Sequence, residues 1–232
     1  MEKLLSMKRL AMSQSNYIPW KGYFDMISRA DEFVICDDVQ YTKQDWRNRN
    51  ILKTQNGLQW LTIPVKGSTH SKISEIEISD KKWNLKHWKT IRQAYCNSKY
   101  FGIYSPVIES VYQQAVQTKL SDINLHLIRA IKKILKISTP VKPYSDYPAS
   151  EERNERIIRV CMAAGADVYL SGPAARDYIN KNLFAKNGIE VEWMDYDRYP
   201  EYPQLFGDFE HKVSILDLIF NTGGNARKYM KY

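Results

Sequence analysis

Between Lys8 and Asp37 the chain reads strand, helix, strand within about 30 residues, the size of a βαβ unit. Lys8 to Ser13 reads as a short strand that ends in the polar loop Gln14 to Asn16. A helix starts after Pro19, with Trp20, Phe24 and Ile27 at i, i+4 and i+7 on one face. Glu32 to Asp37 is a short apolar run bounded by charges, the pattern of a strand buried on both faces of a parallel sheet. Two such strands joined by one short helix leave few architectures other than an α/β sheet.

The rest of the chain extends this pattern. Asn56-Gly57 marks a turn, and Leu58 to Val65 reads as a strand, either a further strand of the main sheet or one arm of a hairpin with Asp45 to Leu52 beside it. Ile73, Ile76 and Ile78 lie in an extended piece, and helical periodicity then runs from Lys81 to Lys136. Its first segment carries the stripe Asn84, Trp88, Ile91 and Tyr95. The second repeats at Val107, Ile108, Val111, Tyr112, Ala115 and Val116. Ser121 is placed to cap the third, and Ser150 to cap a fourth that stops at Gly165. Asp167 to Leu170 and Ile189 to Met194 read as further strands, with a helix opening at Pro173 between them and a last helix over Ser214 to Asn221. The expected fold is one α/β domain over residues 1–232, a mostly parallel, Rossmann-like sheet with a helical insertion at about 81–136.

Composition excludes several classes. No run of about 18 apolar residues is present, so no membrane insertion is expected, and the N-terminal segment MEKLLSMKRLAMSQSN lacks a secretory signal. Three widely spaced cysteines argue against a disulfide framework and for a cytoplasmic setting. Neither they nor the four histidines show metal-ligand spacing, so no metal is expected. The net charge of +8 attracts anionic partners, yet no RNA-binding motif or long basic run is present, and nucleic acid is not expected as a ligand.

Ligands of open α/β sheets bind beyond the carboxyl ends of the strands. The residues at those places are Gln14, Asn16 and Tyr17, then Asp37, Asp38 and Gln40, then Ser171 and Gly172. Parallel neighbouring strands would bring them together. Adjacent Asp37 and Asp38 point to opposite sides of an extended backbone, so one is a candidate base or hydroxyl ligand and the other a cap. Lys43, Arg47, Asn48 and Arg49 supply donors that suit phosphate or carboxylate, or surface ion pairs with Asp37, Asp38 and Asp45. His87 is the acid–base candidate by residue type, although a lone histidine beside an apolar stripe also fits a core or rim position. Cys36 sits among apolar neighbours, as a buried, inert thiol would.

The same residues resemble the WbqC-like protein family. The blocks QSNYIPWKGYFDMI, VICDDVQYTKQDWRNRNILK and NGLQWLTIPV look like its opening pattern. The blocks KHWKTIRQAY, GADVYLSGPAARDYI and EYPQLFGDF look like later ones. Ser15 stands where the family usually has proline. The resemblance implies a bacterial protein encoded with surface-polysaccharide (O-antigen, lipopolysaccharide) genes. It further implies transfer of an acyl or aminoacyl group, such as glycine, to a nucleotide-linked amino sugar. The donor would be a phosphopantetheine thioester on an acidic acyl or peptidyl carrier protein, with no tightly bound cofactor. On that expectation His87 or Asp37 acts as base, and Gln14, Asn16 or a backbone N–H faces the oxyanion. Arg47, Arg49 and Lys43 then hold phosphate, and Tyr17, Trp20, Tyr41 and Trp46 form stacking walls. Two alternatives stand beside it: a non-catalytic module that binds a nucleotide sugar or carrier, and a nucleotidyl-transfer enzyme, whose HxGH phosphate motif this chain lacks.

Overall fold

The computed structural model describes residues 7–232. Part of the N-terminal segment judged for a secretory signal, residues 1–6, lies outside them. In chain order the strands are β1 (Arg9–Ser13), β2 (Glu32–Ile35), β3 (Arg49–Thr54), β4 (Gly57–Thr62), β5 (Val65–Lys66), β6 (Glu77–Ile78), β7 (Val141–Pro143), β8 (Val168–Ser171) and β9 (Glu190–Trp193). The α-helices are α1 (Lys21–Arg29), α2 (Trp83–Tyr95), α3 (Phe101–Gln113), α4 (Leu120–Ile134), α5 (Arg153–Ala164), α6 (Lys181–Lys186) and α7 (Ile215–Thr222). They divide between two compact units. One takes the chain up to Ser13, Met26–Cys36 and Ser138–Asp197, and the other takes Gln14–Asp25, Asp37–Ile137 and Arg198–Tyr232.

The first unit holds a five-stranded, all-parallel sheet in the order β7-β2-β1-β8-β9. Numbered along the chain within this sheet, the order is 3-2-1-4-5, a Rossmann-like winding whose direction reverses between β1 and β8. Register sets Ser13 opposite Ile35, and Ala11 opposite both Phe33 and Leu170. The carboxyl ends of the three central strands therefore lie nearly level. Leu10, Ala11, Phe33, Val34, Val168 and Leu170 are fully buried, as residues of strands covered on both faces must be. Each large one contributes about 1.5–3 kcal/mol by burial. Glu32 is buried at the head of β2, where Lys8 (3.1 Å), Lys142 (3.3 Å) and the Tyr147 hydroxyl hold its charge.

The second unit holds the antiparallel β3–β4 hairpin, the short β5–β6 pair and the helices α2, α3 and α4. The hairpin turns through Asn56, with Gly57 at φ 96°, a conformation glycine adopts without strain. The stripe Asn84, Trp88, Ile91 and Tyr95 is buried on α2. The expected α3 stripe splits: Ile108 and Tyr112 are buried, whereas Val107 and Val116 are exposed.

Two cap expectations are corrected. Ser121 lies inside α4, which starts one residue earlier, and its hydroxyl serves Asp37 instead. Glu152, not Ser150, caps α5 by accepting from Glu155 N, and Ser150 bonds the Glu155 side chain. Pro173 stands at the first position of a helix as expected, a short 3₁₀ helix over Pro173–Asp177. Gly165 does end α5 at φ 61°, and Ser214 caps α7. No disulfide forms among the described residues: Cys36 and Cys161 are buried and Cys96 is exposed. Burial raises the Cys161 thiol to about 12.

Candidate functional site

The second unit gathers most of the residues marked by the sequence. The Gln14–Trp20 loop runs beside the 37–49 segment, tied to it where Tyr17 N donates to Trp46 O at 2.9 Å. Asp37 is buried, and both of its oxygens are engaged. Oδ1 accepts from Ser15 N at 2.8 Å and Oδ2 from the Ser121 hydroxyl on α4. One turn further on α4, fully buried Asn124 donates to Ser15 Oγ at 3.0 Å and to Arg47 O at 2.8 Å. Helix α4 thus holds both halves of the site. The Arg47 guanidinium completes the junction, donating to the Asn16 side-chain amide oxygen Oδ1 and to Gln14 Oε1 at 3.2 Å, with Asp45 at 3.7 Å. Burial alone would raise the Asp45 carboxyl, but the Thr42 hydroxyl and Arg47 outweigh it and lower its pKa.

Below this junction lies a buried chain of rings. His87 Nε2 is 3.1 Å from Thr62 O, and His87 Nδ1 is 2.7 Å from the Tyr17 hydroxyl, itself 2.7 Å from the Tyr112 hydroxyl. A carbonyl oxygen only accepts, so Nε2 carries the proton and donates. Nδ1 then accepts from Tyr17, and the Tyr17 oxygen accepts from Tyr112. Burial lowers the His87 pKa to about 4, only partly offset by the bond to Thr62, so the ring is neutral at pH 7. Burial raises both phenols and keeps them protonated.

The loop above is strained. Ile18 sits at φ 35°, a region a β-branched residue avoids at a cost of about 1–3 kcal/mol. Asn50 holds it there, donating to Tyr17 O and Ile18 O at 2.9 Å each. Asn48, also buried, donates to Ile63 O at 3.0 Å. Asn48 Oδ1, Asn124 Oδ1 and Arg49 Nε are buried without a protein hydrogen-bond partner, the kind of group that ordered water or a ligand satisfies.

The accessible part of the region is aromatic and cationic. Trp46 and Trp60 are 38% and 44% exposed, with ring centroids 5.3 Å apart. The Arg49 guanidinium lies 4.0 Å from the Trp60 ring centroid. Lys43 is exposed on the same segment. Such a face can stack on a planar or sugar ring and present a guanidinium to an anion.

Other marked residues have different surroundings. Asp38 pairs with Lys72 at 2.6 Å, and exposed Gln40 donates to Thr69 O. Tyr41 is buried, and Trp20 packs edge-on against Tyr199. Ser171 and Gly172 belong to the other unit, at the carboxyl end of β8, where Ser171 O accepts from Met194 N. Among the described residues no group of three His, Cys, Asp or Glu side chains is placed to hold a metal, and no helix is long and apolar enough to cross a membrane.

Sequence reasoning missed Ser121, Asn124, Asn50, Trp60 and Tyr112. A signal existed for Asn124, a polar residue amid the apolar stripe Leu120, Ile123, Leu127 and Ile128.

Comparison with known proteins gives two matches. The model of the WbqC-like protein family matches residues 14–229. An uncharacterised protein of Mycobacterium tuberculosis is 46% identical over 228 residues, covering 97% of this chain and 99% of its own. No solved structure matches.

Proposed function

Because the chain belongs to the WbqC-like protein family, we propose that it works in surface-polysaccharide (O-antigen) biosynthesis as an acyl- or aminoacyltransferase acting on a nucleotide-linked amino sugar. The observation that carries this reading is the exposed pair Trp46 and Trp60 with the half-buried Arg49 guanidinium stacked on Trp60. The indole rings suit a base or sugar ring, and Arg49 with Lys43 suits a diphosphate.

In the transfer, the sugar amine attacks a carrier-bound thioester such as a glycyl thioester. A C–N bond forms, the C–S bond breaks, and the proton shed by the amine leaves with the departing thiol. His87 and Asp37 act here as positioning residues rather than as bases, since both nitrogens of the one and both oxygens of the other are already bonded. Asp37 and Arg47 set the Gln14–Asn16 loop, and His87 sets Tyr17.

A second reading, a binding module without turnover, is favoured by that same engagement of both base candidates. Incubation with glycyl-loaded carrier protein and a panel of nucleotide-linked amino sugars, followed by mass spectrometry, separates the two. Transfer predicts a product heavier by one glycyl group, diminished at least tenfold in Arg47→Ala. Tight sugar binding with no product from any donor would establish the module instead. Failure to bind any nucleotide sugar would defeat both.

A further inference from the structure

Helix α4 has a second face that the candidate site does not use. Ser121 and Asn124 point to the Asp37–Arg47 junction, whereas the opposite side forms one wall of a groove of about 600 Å³. That wall runs from Asp122 to Ile134 at the three- and four-residue spacing of a single helix face, and Val107 and Val111 of α3 with Gln114 just past its end form the other. Twelve residue steps make the groove about 18 Å long, the length of about three helical turns. Leu125, Ala130 and Ile134 give it an apolar lining together with Val107, which is 48% exposed. Ile103, one turn before Val107 on α3, is 69% exposed and continues the apolar line. Apolar side chains left in one line along paired helices mark a surface that another element covers.

The charge of the groove selects its occupant. Arg129 and Lys133 line it, and Lys132 and Lys136 flank them. From residue 123 to residue 145 the chain contains no carboxylate. The like charges are close enough to act on one another. Burial, then Arg129 and Lys133, lower the Lys132 pKa. A second copy of this chain does not supply the complement. Among the described residues α2 is basic, α3 and α7 carry a single carboxylate each, and the Asp217 of α7 is buried. We propose that the α3–α4 groove is a docking site for an acidic amphipathic helix of a different protein, with the apolar side of the helix on Val107, Leu125 and Ile134 and its carboxylates against Arg129 and Lys133. Helix-in-groove recognition needs these two features, an apolar slot of several turns and a charged rim. The proposal stands whether or not the protein transfers acyl groups.

The test is site-specific photo-crosslinking in the host cell with the full chain carrying benzoylphenylalanine at position 107 or 130. Crosslinked peptides are then sequenced by mass spectrometry. The expected result is a peptide from another protein that maps to an amphipathic helix of net negative charge. The yield should fall at least tenfold when Arg129→Glu and Lys133→Glu are added. Should that pair disturb folding, as read by circular dichroism, Arg129→Gln with Lys133→Gln should still reduce the yield several-fold. Crosslinks to the chain itself, to a basic or non-helical segment or to lipid would overturn the proposal. So would an absence of crosslinks, or a yield indifferent to the charge changes.

Discussion

His87 illustrates how a histidine can be buried with both ring nitrogens engaged. Its proton sits on Nε2 because Thr62 offers only a carbonyl, and its other nitrogen is committed to Tyr17. Its folded pKa of about 4 lies below the ordinary 6.5, so as pH falls the unfolded chain takes up the proton first. The stabilisation is fully present above pH 6.5 and drains away toward pH 4, on the order of 3 kcal/mol in all. Urea titrations at several pH values should show this loss in the wild type and a flatter profile in His87→Gln; coincident profiles would mean the ring is not buried neutral. Asn50→Ala should cost about 2 kcal/mol or more, because two buried carbonyls lose their donor and Ile18 loses its support. Equilibrium unfolding measures this directly. The RNRN run was legible as a polar cluster but not as two populations. Arg47 and Arg49 are half-buried, whereas Asn48 and Asn50 are buried. The two pairs straddle a boundary, a turn over residues 46–48 and the start of β3 at Arg49, and the sequence marked neither the boundary nor which residues face the core.

At the scale of elements, α4 organises the second unit by facing two ways. Its apolar stripe and Asn124 were readable from helical periodicity. The partner of Asn124 was not, because Ser15 and Arg47 lie far away in sequence and meet it only through tertiary packing. The hairpin β3–β4 was legible from Asn56-Gly57 between two apolar runs, yet the exposed Trp46–Trp60 pair depends on how the turn before β3 packs against β4, which neither run reveals alone. The α5 cap shows the limit of local rules: Ser150 is a good capping residue, but Glu152 lies three residues before the Glu155 N–H and takes the position. The end of α7 carries a further prediction. Gly223 has φ 56°, and a Cβ there would lie 2.5–2.9 Å from the Tyr100 ring. Gly223→Ala should therefore lower stability by about 1–3 kcal/mol in thermal or urea unfolding.

At the scale of the whole molecule, the first βαβ reading extended to a parallel sheet through the later strand-like runs of β8 and β9, whereas the three-residue β7, Val141–Pro143, carried no strand signal of its own. The order 3-2-1-4-5 was not legible, since strand order is set by which neighbours bury each face and not by any single run. Strand ends placed the Gln14 and Asp37 clusters correctly as neighbours, now joined through Ser15. They gave no hint that these clusters would form a largely buried frame beneath the exposed Trp46 and Trp60 rings. Family membership supplies the context of polysaccharide biosynthesis, and the exposed rings supply the expectation of a sugar nucleotide. The direct test is a calorimetric titration of a nucleotide-linked amino sugar into the wild type, Trp60→Ala and Arg49→Ala. The account predicts saturable 1:1 binding that weakens about tenfold in each variant with folding intact, as the loss of one ring or guanidinium contact would give. Equal affinity in all three proteins would contradict it.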